Sequence, residues 1–194
     1  MRKTTSTLAA ASLALAAALA APAAHAADYA IDPTHTFVTF EIDHFGTSTN
    51  RARFDKKEGT VSFDRAAKTG KVEITIDTTS VNSGTLPFNK HLQSADILNA
   101  EKYPTAKFVG DKFVFNGDKV AEVSGNLTLL DKTLPVTLKA NKFNCYQNPM
   151  LKREVCGGDF ETTLTRSQFG VTYGLNYGFS DNVRLVIQVE AVKQ

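Results

Sequence analysis

Apolar and polar residues alternate with a period of two through most of this chain, and that pattern commits it to half-buried β-strands. Val38, Phe40, Ile42 and His44 fall on one side of a strand, and Thr39, Glu41 and Asp43 on the other. Val61 and Phe63 follow, and then Val72, Ile74 and Ile76 alternate with Lys71, Glu73, Thr75 and Asp77. Phe108 stands in a short extended piece after Tyr103-Pro104. Phe113-Val114-Phe115 is a compact apolar run closed by Asn116-Gly117, a strong hairpin signal. Val123, Leu127 and Leu129 face Leu134, Val136 and Leu138 across Asp131-Lys132. Phe160, Thr162 and Leu164, then Val183, Leu185, Ile187 and Val189, complete the series. Eight or nine strands joined by short turns pair antiparallel, and one apolar face per strand makes one shared interior. A closed eight-stranded barrel with space for a small ligand fits this pattern, and so does a two-sheet sandwich. Periodicity separates neither barrel from sandwich nor hollow interior from filled core.

One stretch breaks the alternation. Between Ser83 and Ala100, Leu86, Phe88, His91, Leu92, Ala95, Ile97 and Leu98 recur at helical spacing, with Gly84 and Pro87 near the start and Tyr103-Pro104 beyond the end. One or two short helices are expected there, either as a lid over one mouth of a barrel or packed on its outside.

The first 26 residues have the grammar of an export signal. Arg2 and Lys3 precede an apolar run from Leu8 to Ala21, and Ala24-His25-Ala26 offers a small-residue cleavage site, so a mature domain of residues 27–194 is expected. The run is too short for the roughly 20 residues of a spanning helix, and no long apolar run follows it. Loss of Arg2 and Lys3 from 22 basic residues leaves them balanced against 20 acidic ones. A neutral mature chain argues against nucleic acid as a partner. Export also places Cys145 and Cys156 in an oxidising compartment, where their spacing reads as a disulfide at the base of a hairpin loop.

Catalytic and metal motifs are sparse. His35 and His44 have opposite strand parity, and His91 lies in the helical stretch. Neither H-E-x-x-H nor C-x-x-C occurs, so no metal centre is expected. His35 is better placed to serve a turn beside Asp32-Pro33, and His44 to be an interior polar group near a barrel mouth. There is no G-x-S-x-G elbow and no glycine-rich phosphate loop before a helix, so neither an enzyme nor a nucleotide-binding protein is indicated.

More specific matches run in order along the whole mature chain. Asp32-Pro33-Thr34-His35-Thr36-Phe37-Val38-Thr39-Phe40 with His44 opens the series. His91-Leu92, Ser94-Ala95-Asp96 and Tyr103-Pro104-Thr105-Ala106-Lys107-Phe108 follow. Val123 to Leu129 with Leu134-Pro135-Val136, then Arg166-Ser167-Gln168-Phe169-Gly170 and Ser180-Asp181-Asn182-Val183, complete it. In this order and spacing the chain resembles the YceI-like family of exported proteins. It departs from the family pattern at Ala52 and Asp131, where glycine is frequent; both positions are read as turns.

The resemblance implies a closed eight-stranded antiparallel lipocalin-like barrel, all β apart from one or two short helices near one mouth. It implies a periplasmic or secreted protein, monomeric or homodimeric, whose lumen holds a long isoprenoid lipid such as a polyprenyl lipid or an isoprenoid quinone. On that reading Val38, Phe40, Ile42, Phe63, Ile74, Ile76, Leu92, Phe108, Leu127, Leu129 and Leu138 line the lumen, while His44, Asn89, His91 and Arg166 meet the head group. Arg166 alternatively forms a salt bridge at a strand end. The competing reading is a stress-induced adaptor that docks on a periplasmic protein and binds lipid only incidentally.

Overall fold

The computed structural model describes residues 26–194; the export signal read over residues 1–26 lies, but for Ala26, outside the described residues. The strands are β1 (Ala27–Ile31), β2 (Phe37–His44), β3 (Ser48–Phe54), β4 (Lys57–Asp64), β5 (Thr69–Asp77) and β6 (Val81–Asn82). After helix α1 (Leu86–Gln93) come β7 (Thr105–Asn116), β8 (Lys119–Leu129), β9 (Lys132–Gln147), β10 (Glu154–Thr165) and β11 (Asn182–Lys193). Every pairing is antiparallel. The order β1-β4-β5-β7-β8-β9-β10-β11 closes on itself because β1 also pairs with β11, Tyr29 opposite Lys193 and Ile31 opposite Ala191. The result is a closed eight-stranded barrel, which leaves no free edge around the ring.

Eleven segments make eight staves because three staves are creased. β1 and β2 lie end to end along β11, β3 and β4 lie end to end beside them, and β5 continues into β6 along β3. The first crease follows from Pro33, which fixes φ and has no N–H for a ladder. Asp32 Oδ1 accepts the Thr34 N–H at 2.8 Å, and the buried Thr36 hydroxyl bridges to Glu190 O at 3.2 Å where the ladder lapses. The second and third creases are tied together: Asp55 N donates to Ser80 O at 3.1 Å and Lys56 N to Ser80 Oγ at 2.9 Å. One seam thus crosses three neighbouring staves and lets β2, β3 and β6 flare away from the barrel axis.

Alternation decides which side chains enter the lumen. Val72, Ile74 and Ile76 face inward while Glu73 reaches across the outside to Lys107 at 2.5 Å. The outer face carries further cross-strand pairs, Ser124 with Thr137 and Thr128 with Thr133, both at 2.8 Å. One core cluster gathers around Phe63, Phe108, Val123 and Phe160. A second lies under α1, from Val38 and Phe54 to Leu92 and Leu98.

Three sequence expectations are corrected. β1 and β3 were not legible, β1 because it is short and β3 because Ser48-Thr49-Asn50-Arg51 carries no apolar alternation. Ala52 sits within β3 opposite Phe40, and not in a turn. Phe108 and Phe113-Val114-Phe115 belong to a single strand, β7, in which the register slips between Gly110 and Lys112, so that a β-bulge hides the continuity. The helical stretch yields one α-helix, as the spacing allows, followed by turns that end near Tyr103.

Candidate functional site

The barrel is hollow, and its hollow has two parts. The narrow chamber, about 140 Å³, is lined by Tyr29, Phe63, Val72, Ile74, Phe108, Phe113, Val123, Leu138, Phe143, Phe160 and their neighbours, with no charged side chain among them. The wide chamber, about 510 Å³, lies on the flared side of the seam, beneath α1. Val38, Ile76, Leu127 and Leu185 line both, so the two chambers adjoin within the barrel. Walls around such a space forgo dispersion contacts that larger side chains would restore, so the hollow is a cost to stability with no structural return.

The narrow end is crowded by aromatic packing. The Phe63 ring centroid lies 5.7 Å from those of Phe115 and Phe143 and 6.4 Å from those of Tyr29 and Phe113. Tyr29 donates to Glu154 Oε1 at 2.6 Å, and Arg65 holds Oε2 at 2.7 Å. Burial raises the Tyr29 pKa above the ordinary phenol value, and the Glu154 carboxylate adds to it; the hydrogen bond from Tyr29 lowers that of Glu154. The Cys145–Cys156 disulfide joins directly opposed residues of β9 and β10 at this end, with Cys156 on the chamber wall. Among the described residues these two sulfurs and Glu154 make one group of three metal-ligand atom types, but the sulfurs are bonded to each other.

The wide end carries the polar groups. His44, Asn50, His91, Arg166, Tyr173 and Tyr177 line it among aliphatic and aromatic side chains. α1 contributes Phe88, His91 and Leu92; the segment between β10 and β11 contributes Arg166 to Phe179. Left-handed glycines at Gly170, Gly174 and Gly178 fold that segment across the mouth. Arg166 pins it: Nε donates to Ser180 O at 2.7 Å, and Nη1 donates to Val171 O at 3.0 Å and Tyr173 O at 2.8 Å. The side chain is buried, and desolvation lowers its pKa. Asp181 is spent on Ser167, accepting from its N–H at 2.9 Å and its hydroxyl at 2.7 Å. At the rim His44, Phe45 and Phe179 pack edge to face with centroids 5.1–5.5 Å apart, and His91 meets Tyr173 at 5.0 Å. Phe45, 53% exposed, holds φ +55°, a strained value for a bulky residue.

The structure places all eleven residues read as lumen-facing on the chamber walls. Phe63, Ile74, Phe108 and Leu138 line the narrow part; Phe40, Ile42, Leu92 and Leu129 the wide part; Val38, Ile76 and Leu127 both. His44, His91 and Arg166 come together in the wide chamber, and Arg166 makes no salt bridge there, its partners being main-chain carbonyls. Asn89 is a correction: its Oδ1 accepts from the Ser83 N–H and hydroxyl, both at 2.7 Å, closing the turn that starts α1, and it lines neither chamber. Sequence reasoning missed Phe45, Asn50, Tyr173, Tyr177 and Phe179, which sit in turns or in a strand without apolar alternation. His35 serves its turn, with Nδ1 2.7 Å from Asp32 Oδ2.

Comparison with known proteins agrees with this architecture. The family model described as a YceI-like domain matches residues 29–191. A UPF0312 protein of Pseudomonas aeruginosa is 39% identical over 188 residues, covering 95% of this chain and 97% of that one. Among solved structures, Burkholderia cenocepacia BcnA superimposes with a TM-score of 0.69 at 25% identity, over 82% of this chain and 98% of BcnA. A domain from Saccharophagus degradans, described as polyisoprenoid binding and implicated in plant cell wall breakdown, shares the fold at a TM-score of 0.60 and 15% identity. That alignment covers 86% of this chain and 98% of that domain.

Proposed function

The chain belongs to the YceI-like family, and from that premise we propose that it is a carrier that holds a long isoprenoid lipid in its lumen. The observation that carries this reading is the pair of adjoining apolar chambers, one aromatic, the other polar-rimmed. The polyisoprenoid-binding domain that shares its fold supports the same ligand class. A prenyl tail offers only apolar surface. At about 0.8 kcal/mol per methylene-sized group, one five-carbon unit contributes roughly 3–4 kcal/mol gross. A few units therefore suffice for tight binding, and the cost of ordering a floppy chain keeps the net below the ceiling near −20 kcal/mol. Tail length sets affinity, and the rim sets orientation.

The periplasm is the proposed location, on the strength of the export signal read in the sequence and of the disulfide. No described helix is long and apolar enough to cross a membrane. Phe45, Tyr173 and Tyr177 are each exposed and also line the wide chamber, so lipid enters and leaves over an apolar rim in transient contact with the bilayer. The test is a mass spectrum of the organic extract from purified protein. An isoprenoid lipid in near-stoichiometric amount is expected; protein that is lipid-free and ignores added polyprenol in a competition assay overturns the reading.

A second reading, docking on a protein partner, rests on the β9–β10 hairpin tip. There Met150 is 86% exposed and Leu151 half exposed on a loop that Asn148 Oδ1 holds through both their N–H groups. A partner captured equally by lipid-loaded and lipid-free protein favours it; dependence on lipid content favours carriage.

A further inference from the structure

Arg166 is the only Lys or Arg lining the wide chamber, and no Asp or Glu lines it. The guanidinium has five N–H groups, and three are taken: Nε by Ser180 O, and both hydrogens of Nη1 by Val171 O and Tyr173 O. Nη2 is shut off from solvent and has no acceptor among the described residues, in a side chain only 7% exposed. A buried donor without a partner carries its full desolvation penalty. The Phe179 ring covers the guanidinium, its centroid 5.6 Å from Cζ, and is itself held edge-on by His44 and Phe45.

What Nη2 can accept follows from what its neighbours have given away. Arginine grips phosphate or carboxylate through two parallel N–H···O bonds from adjacent nitrogens. Each such fork needs Nη2 together with Nε or Nη1, and both are committed to main-chain carbonyls. A phosphate monoester here would find no fork and one cation, which offsets only one of its negative charges and leaves the remainder buried without a partner. A single uncharged oxygen needs only what Nη2 still offers.

We propose that Nη2 of Arg166 is the seat for one uncharged oxygen acceptor, a carbonyl or hydroxyl, on the head of the bound lipid. The half-buried Phe179 ring gives way to admit it, and the tail runs past Val38, Ile76, Leu127 and Leu185 into the narrow chamber. This rests on the lumen being lipid-binding, and it fixes both the direction of the ligand and the chemistry of its head.

The test titrates delipidated wild-type protein with squalane, hexaprenol and hexaprenyl monophosphate, by displacement of a fluorescent polyene. Hexaprenol is expected to bind at least about tenfold tighter than squalane, the scale of one hydrogen bond to a charged group, and the phosphate no tighter than the alcohol. Equal binding of squalane and hexaprenol overturns the proposal, as does a phosphate that binds tighter than the alcohol. If none of the three displaces the polyene, the lipid-binding reading itself fails. Arg166→Lys keeps a charge without the three-carbonyl clamp and is expected to bring hexaprenol and squalane close to parity; retention of the wild-type preference overturns the assignment. The wild-type comparison stands even if that variant does not fold.

Discussion

On the narrow side of the seam the strands run on through their β-bulges without leaving the sheet, and the space inside is crowded by rings around Phe63. On the flared side the wall opens out, the space is more than three times larger, and four of its six polar lining residues come from α1 and an irregular segment. Both sides obey the same alternation and both are largely apolar. The difference teaches that apolar side chains alone do not decide between core and cavity; the course of the backbone around them does. Regular ladders bring opposite walls close enough to interdigitate, whereas the seam and the glycine-rich crossing hold them apart. Irregular segments on a rigid frame are also where binding groups are usually carried, and here the only charged lining residue sits on one.

That contrast can be broken most forcefully by charge. Ile74→Glu puts an unpartnered carboxylate in the narrow chamber. It should destabilise by about 4 kcal/mol or prevent folding, read as a fall in melting temperature on the order of 10 °C. Phe40→Arg in the wide chamber should stay folded, because its head can reach the open side, and should lose most bound lipid by mass spectrometry. A stable Ile74→Glu protein would mean that the narrow chamber admits water.

Removal of packing comes next. Phe63→Ala should cost about 3–5 kcal/mol by denaturant unfolding, since that ring touches four aromatic neighbours. Phe88→Ala, on α1 beside the larger space, should cost less than half as much. Replacing both Cys145 and Cys156 by Ser should cost about 3 kcal/mol, with lipid affinity nearly unchanged because neither cysteine lines the wide chamber. At the rim, Phe45→Gly relieves the positive φ while removing its edge contacts. Stability should move by less than about 1 kcal/mol, while lipid transfer between vesicles slows several-fold.

The smallest effect concerns pH and the first crease. Burial works against the Asp32 charge, but hydrogen bonds from His35 and Thr34 outweigh it and bring the pKa down to about 2. The same bond to Asp32 raises the pKa of His35 above 6.5. The His35 contribution to stability is therefore complete below pH 6.5 and fades as pH rises through its folded-state value. The Asp32 contribution is present above its ordinary carboxylate range and is lost as pH falls toward 2. Both effects are small at such an exposed pair. NMR titration should place His35 above its ordinary value, and Asp32→Asn should return it there.

Much of this was legible in the residues. The inward faces of β2, β5, β8, β9 and β11 follow from alternation, and the disulfide from two cysteines near one hairpin in a chain whose first residues read as an export signal. Asn116-Gly117 and Asp131-Lys132 mark real turns. The hollow was not legible from periodicity, because a filled core wants the same side chains at the same positions. The rim was hidden for a different reason: Tyr173, Tyr177 and Phe179 follow no period and are brought in by left-handed glycines and by carbonyls that Arg166 gathers from residues five to fourteen positions away. Asn89 was misplaced because helical spacing gives the face of a residue and not the loop hydrogen bonds that capture its amide.

In the three creased staves the seam also separates two stretches of strand, each of which pairs with its neighbours in its own register. In an unbroken stave a one-residue slip turns every side chain beyond it to the wrong face. At residues 32–36, 55–56 and 78–80 the chain leaves the ladder and re-enters it, so a length change there is taken up before it reaches the neighbouring stretch. The part of the mouth built from β2, β3 and β6 can accordingly be lengthened, shortened or reshaped around a different cargo while β1, β4 and β5 keep every residue in place.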